Sequence, residues 1–302
     1  MTFHTGLSRD GPALLVRDLL REETLEDLSL IAKLAPDIVA LQNVDFDHDQ
    51  YAASLIQERL RELGHAMPHR FTARPNTGID SGFDLDRNQR LGEPRDMLGY
   101  AEFAGQGGML ILSRFPVRER QSKDLSAALW RDEGAQNLPA GNYFSNQELD
   151  VLPLHSVGAW DVQIETPDGP IHVLTTHAST PAFDGPEDRN GLRNAAQLTF
   201  WRRYIEQSKI NNAPFVLLGT LNNDPTAGEG LKPALNALLG HELLQNPVRP
   251  EPTALWSSGL SLQVDYILAS RGFGIRAAKV ERAFDGAGAS RHFPVWVDVI
   301  WQ

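Results

Sequence analysis

The sequence contains no cysteine. That absence excludes disulfide scaffolds, thiolate zinc sites, iron–sulfur clusters and cysteine nucleophiles, while leaving the redox compartment open. No stretch approaches the roughly 18 apolar residues of a membrane span. The opening Met1-Thr-Phe-His-Thr-Gly6 has neither a basic n-region nor an apolar h-region, so the chain as written is expected to be soluble and to carry no signal peptide. Positive charge is also in short supply, with 28 Lys and Arg against 39 Asp and Glu, a formal net charge of −11. Such a chain lacks the field that gathers polyanions, and duplex nucleic acid is not expected as a partner unless a basic patch or bound cations reverse the sign locally. Neither a Gly-x-Ser-x-Gly elbow, a His-Glu-x-x-His pair nor a P-loop occurs.

What is present is the composition of a globular protein, with 41% hydrophobic and 22% charged residues. With no repeat, low-complexity tract or Pro/Ser-rich linker, residues 1–302 are expected to form one domain. Apolar runs bounded by turn residues read as buried strands at Asp37–Gln42, Gly108–Ser113, Ile171–Thr176, Phe215–Gly219 and Gln263–Leu268. Three- and four-residue apolar spacing predicts helices over Thr24–Leu34, Tyr51–Leu63, Asn190–Ser208 and Leu231–Leu239. The weakly periodic stretches Arg74–Gly99 and Asp124–Asp150 read as long loops. The alternation predicts an α/β fold.

Several of these strands run directly into polar residues: His177, then Thr220, Asn222 and Asp224, then Asp265, and finally Ser290-Arg-His292. Read with Pro36-Asp-Ile-Val-Ala-Leu-Gln42, Gly107–Pro116, Gly219-Thr-Leu-Asn-Asn-Asp-Pro225, Gln263-Val-Asp-Tyr-Ile267 and Ser290-Arg-His-Phe-Pro-Val295, the chain resembles the endonuclease/exonuclease/phosphatase superfamily over nearly its whole length. Each motif alone is weak, but five fall in the family's order. The resemblance implies a DNase I-like α/β sandwich, two mixed β-sheets packed face to face with helices outside. It also implies hydrolysis of a small phosphomonoester or phosphodiester with a divalent cation, Mg or Mn. A hard cation wants carboxylate oxygens, and an Asp-oriented histidine can move a proton near neutral pH. Carried over by position, His177, Asn222, Asp265 and His292 match catalytic positions, with Asn43, Asp265 and, weakly, His4 on the metal side.

The departures fall on the metal. His4 stands where the family has Asn, Asn43 where it has the metal-binding Glu, Thr220 where it has the Asp of the Gly-Asp-x-Asn block, and Arg291 where it has the Asp before the last His. Three carboxylates become two neutral groups and one cation, a swing of about four positive units. Asp45, Asp47 and Asp49 offer replacement charge, although an alternating acidic run is ordinarily a solvated loop. Two functions follow: a metal-assisted phosphoesterase, or a degenerate member whose cleft binds a small phosphorylated ligand through Arg291, His177 and Asn222. Each residue also has a bland reading, since His, Asn and Asp commonly end strands and build turns. In particular, Arg291 cannot accept a hydrogen bond, so the tautomer of His292 is expected to lack support.

Two further features stand apart. Asp84, Asp86 and Asn88 place oxygens at alternate positions with Asp96 beyond, resembling a calcium loop that lacks the glycine and the final Glu; the alternative is an Asx-rich turn. The Ala178–Gly191 segment resembles an insertion of one bacterial branch, and Arg189 and Arg193 are placed to reach an anionic substrate, unless Glu187 and Asp188 pair with Arg189 instead. Only three residues precede His4 on what should be a central strand. A longer, exported precursor with a periplasmic or secreted location is the expectation this raises; oligomeric state is not legible.

Overall fold

The computed structural model describes residues 1–21, 25–208, 210, 213–282 and 290–301. The first third of the chain forms β1 (Thr2–Leu7), α1 (Leu14–Leu20), α2 (Glu26–Leu34), β2 (Ile38–Val44), α3 (Tyr51–Glu62), β3 (His69–Phe71) and β4 (Gly108–Ser113). Next come β5 (Lys123–Asp124), the single turns α4 (Trp130–Glu133) and α5 (Asn146–Leu149), β6 (Gly158–Thr166), β7 (Gly169–His177) and α6 (Arg189–Gln207). The last third holds β8 (Phe215–Thr220), α7 (Lys232–Leu239), β9 (Leu244–Gln245), β10 (Ala254–Leu255), β11 (Ser261–Leu262), β12 (Asp265–Ser270), β13 (Phe273–Val280) and β14 (Val295–Trp301).

The strands make two six-stranded sheets, ordered β13-β14-β1-β2-β4-β3 and β5-β6-β7-β8-β12-β9, with β10-β11 as a separate hairpin. Both six-stranded sheets are mixed: β1 and β2 run parallel, as do β7 and β8, while their outer neighbours pair antiparallel. The layering follows from the two-residue period of a strand. In β8, Phe215 and Leu217 face one apolar cluster with α6 and α7, while Val216 and Leu218 face the space between the sheets. Likewise in β2 and β4, Val39, Leu41, Leu110 and Leu112 pack under α1, α2 and α3, whereas Ala40, Met109 and Ile111 point to the inter-sheet core. Strands covered on both faces read as unbroken apolar runs. The expected two-sheet α/β sandwich is the observed fold.

The expected elements lie within a few residues of their observed bounds, though Thr24 falls outside the described residues. β12 starts at Asp265 because the Val264 N–H turns to Thr253 Oγ1 instead of to the neighbouring strand, although its carbonyl still accepts from Leu221 and Asn222. Nor is the first strand short: Thr2–Leu7 pairs with β2 from its first residue onward, and Met1 is itself buried. Among the described residues no helix is long and apolar enough to cross a membrane.

Register assembles the polar strand ends. His177 is opposite Thr220, and Thr220 is opposite Asp265 on its other side, so three neighbouring strands deliver these side chains to one sheet edge. Gly219 permits the approach, since a Cβ there would sit 2.1 Å from the Thr176 carbonyl oxygen at a φ of 143°. From the other sheet, His4 pairs with Gln42 just before both β1–β2 and β2–β4 lose register. Asn43 is the bulged residue at φ 60°, a conformation that asparagine tolerates better than most side chains.

Candidate active site

Three histidine rings from different segments meet between the sheet ends. The His4 ring stacks on His292 with centroids 4.0 Å apart and meets His177 edge-on at 5.0 Å. His292 lies just before β14, held by its N–H on Ser290 Oγ, while Ser290 donates to the His4 carbonyl. Trp256 closes the far side, edge-on to His292 at 5.8 Å.

Asp265, only 1% exposed, anchors the cluster. Its Oδ1 accepts from the Thr220 hydroxyl at 2.7 Å, and its Oδ2 accepts from Thr253 Oγ1 and from His292 Nδ1, both at 2.8 Å. Because a carboxylate accepts, Nδ1 of His292 carries hydrogen. This corrects the expectation that the His292 tautomer lacks support: Asp265, from β12, supplies what Arg291 cannot. Sequence reasoning also missed Thr253, whose hydroxyl accepts from the Val264 and Asp265 N–H groups. Its only sequence signal is its place before the β10–β11 hairpin, and pairing within that hairpin is a long-range fact.

The remaining site residues sit around this core in supporting bonds. Asn222, at φ 54°, donates from Nδ2 to the carbonyl of Ala178, the residue after His177. Asn43 donates from Nδ2 to the carbonyl of Thr5, the residue after His4. Arg291 is exposed, its own carbonyl accepts from Leu255 N–H, and its guanidinium has no ion pair among the described residues. The acidic run nearby is structural: Asp45 accepts from Ser8, Arg9 and Gly107, and Asp47 caps α3 through the N–H groups of Tyr51 and Ala52. Among the described residues, the one group of three or more His, Asp or Glu donors close enough to share an ion is Asp84, Asp86 and Asp96, which includes no member of this cluster. A hard divalent cation therefore does not fit the donors here, which are neutral imidazole, carboxamide and hydroxyl beside one carboxylate already engaged by three donors.

Burial sets the charge state of the histidines. Desolvation, then repulsion from His292 and His177, holds the pKa of His4 well below its ordinary 6.5. Desolvation and His292 lower His177 to about 4 against a weaker pull from Asp265, and burial lowers His155, under Phe200 and Trp201, to about 3. Nδ1 of His4 and of His177 is buried without a partner among the described residues. Below pH 6.5 the unfolded chain takes up protons that these rings refuse, so stability is greatest above 6.5 and falls as pH drops toward about 4. Each ring costs about 1.4 kcal/mol per pH unit in that window. Asp27 and Asp45, raised by burial, act in the opposite sense near the carboxylate range. Urea midpoints between pH 7.5 and 5 check this; a flat profile would contradict neutral, buried rings at His4, His177 and His155.

In the Asp84–Asp96 loop, oxygens of Asp84, Asp86 and Asp96 lie within 4.8 Å of one another. Asn88 does not join them: its Oδ1 accepts from Arg90 N–H and its Nδ2 contacts Glu93. Backbone N–H groups of Asn88 and Gln89 satisfy Asp84, and those of Leu85 and Glu93 satisfy buried Asp96. The calcium expectation has a direct test here. It requires chelator to lower the melting temperature, and Asp84→Ala with Asp86→Ala to abolish that response; an unchanged melt removes it.

The architecture and strand-end histidines define a DNase I-like α/β sandwich with a His–Asp centre. The chain belongs to the Endonuclease/Exonuclease/phosphatase family, whose model matches residues 4–292. Members of this superfamily include phosphatases, nucleases and sphingomyelinases, and they generally depend on divalent metal. Among solved structures, it is similar to an endonuclease/exonuclease/phosphatase from Beutenbergia cavernae at 21% identity, covering 99% of this chain and 70% of that one with a TM-score of 0.61. It is similar to the 3′ phosphatase NExo from Neisseria, bound there to a product DNA hairpin, at 17% identity, 99% and 98% coverage and a TM-score of 0.52. For sphingomyelinase C from Streptomyces griseocarneus the values are 15%, 97%, 96% and 0.53. No curated protein matches the chain significantly in sequence. Identities this low establish the fold.

Proposed function

We propose that this protein binds the phosphoryl group of a small ligand at the His4–His177–His292 cluster without a divalent cation, and that it has lost the metal-dependent hydrolysis of its family. The observation that carries the reading is the engagement of Asp265: both oxygens are taken by Thr220, Thr253 and His292, which leaves little of that carboxylate for an ion. Buried imidazoles with unpartnered nitrogens suit an oxyanion once protonated, and a bound dianion makes protonation favourable by offsetting desolvation. We place exposed Arg291, next in sequence to His292, as the permanent cation that completes the site.

The sign of the pH dependence follows. The ligand favours protonated rings, so affinity rises as pH falls from the bound-state pKa values toward the free value of about 4 for His177. Calorimetric titration with sulfate, whose charge is constant across this range, and with inorganic phosphate is expected to show tighter binding at pH 5.5 than at 7.5. In Arg291→Ala both ions are expected to bind about tenfold more weakly. Equal binding by the variant and the wild type would remove Arg291 from the site. A hydrolytic reading draws support from the Asp265–His292 pair, an acid–base geometry, and robust turnover of 4-nitrophenyl phosphate with magnesium would favour it over ours.

A further inference from the structure

A cavity of about 540 Å³, which His177 lines, opens beside the histidine cluster. Among the described residues its charged lining is entirely basic, Arg95, Arg189 and Arg193, with no carboxylate, in a chain whose net charge is −11. Arg193 donates only to main-chain carbonyls, from Nε to Leu154 at 3.0 Å and from Nη2 to Leu98 and Pro153 at 2.8 and 2.6 Å. Burial, then the nearby Arg189, lowers its pKa to about 9. Arg189 donates from Nη1 to the Leu85 carbonyl, while its Nε, 3.8 Å from Glu187, is buried without a hydrogen-bond partner. Trp130 Nε1 and Thr77 Oγ1, on two other lining residues, are also buried and unpartnered.

Buried donors without acceptors cost about 1–3 kcal/mol each, and two neighbouring arginines that share one carboxylate, Glu187 beside Arg189, are only partly compensated. A ligand bringing acceptor oxygens relieves both. The remaining walls are largely apolar and aromatic: Trp130 and Phe144 are buried, while Tyr100 and Phe183 line the cavity yet are 66% and 79% exposed. A bare phosphate would leave those walls uncovered, and a purely hydrocarbon tail would leave the donors unmet. The volume is that of a small-molecule site.

We infer that this cavity holds the non-phosphoryl part of the ligand, and that this part is a flat apolar ring carrying an anionic group met by Arg189 and Arg95. The inference rests on the phosphoryl-binding reading of the adjacent cluster, and it narrows the ligand to aryl or heteroaryl phosphates with a second anion.

Calorimetry on the full chain with inorganic phosphate, phenyl phosphate, 4-carboxyphenyl phosphate and benzoate tests it. Affinity is expected to rise along the three phosphates in that order, by about tenfold at each step. Combining Arg189→Met with Arg95→Ala is expected to remove the gain from the carboxylate, read as the ratio of 4-carboxyphenyl phosphate to phenyl phosphate affinity. Arg193 is unsuited to the test because it ties three carbonyls together. Aryl phosphates that bind no tighter than inorganic phosphate, or a carboxylate gain that survives the double variant, would overturn the inference. If no phosphate binds, the reading of the histidine cluster has failed, and benzoate decides the cavity alone. Benzoate binding lost in the double variant sustains the inference, and its absence in the wild type refutes it.

Discussion

Combining Asn43→Glu, Thr220→Asp and Arg291→Asp is expected to turn a chain indifferent to magnesium into one stabilised by it. Magnesium-dependent phosphoester hydrolysis should rise by about 100-fold or more over the wild type. Two neutral groups and one cation become three carboxylates, reversing a charge swing of about four units around Asp265. Without the ion the variant should be the weaker protein. Thr220→Asp sets a second carboxylate where a hydroxyl now donates to Asp265 at 2.7 Å, and like charges so close resist joint ionisation. Asn43→Glu places a longer side chain at φ 60°, at a cost of about 1–2 kcal/mol. The triple variant should therefore melt below the wild type in chelator and recover with magnesium by mass action. Thermal melts with and without magnesium, alongside 4-nitrophenyl phosphate turnover, read both effects. A wild type that already melts higher in magnesium would refute the premise.

Asp265→Ala should produce the largest stability loss of any single change in the site, on the order of 3–5 kcal/mol. The carboxylate is buried and serves three donors, so its removal strands Thr220, Thr253 and His292 together. Asp265→Asn keeps the volume and one acceptor oxygen but turns an amide N–H₂ toward groups that donate, so it should fall between wild type and Ala. Phosphate affinity should fall in the folded Asn variant too, because the His292 ring loses the acceptor that fixes its tautomer and orientation. Guanidinium midpoints with matched phosphate titrations separate the two effects. An Asn variant with wild-type affinity would make Asp265 a packing residue only.

The strands that were legible in the sequence are those buried on both faces, β2, β4, β7, β8 and β12, where both packing surfaces demand apolar residues and the runs are unbroken. Strands β6, β13 and β14 escaped because one face or one edge is polar. Asp161, Gln163 and Glu165 interrupt β6, and exposed residues alternate through β14. Helix α1 escaped for another reason: it spans only seven residues, two turns of periodicity, and its Asp18 is tied to Arg9 and Arg17 by ion pairs that no periodicity announces. At the site, motif order located His4, His177, Asp265 and His292, the first inside β1 and the others ending or flanking a strand. The bonds among them were not legible. That Thr220 donates to Asp265 follows from register between β8 and β12, and that Thr253 does so follows from a hairpin with no sequence signature. The basic cavity was half visible: Arg189 and Arg193 were found, but Arg95, Trp130 and Thr77 reach it from single helical turns and a loop whose paths only tertiary packing sets.

The central claim, phosphoryl binding without a divalent cation, is tested most directly by titrating inorganic phosphate into the wild-type chain by calorimetry, once in excess chelator and once in magnesium. The account predicts the same affinity in both, with no release of phosphate from 4-nitrophenyl phosphate in the magnesium sample. Binding that appears only with magnesium, or magnesium-dependent hydrolysis, would contradict it.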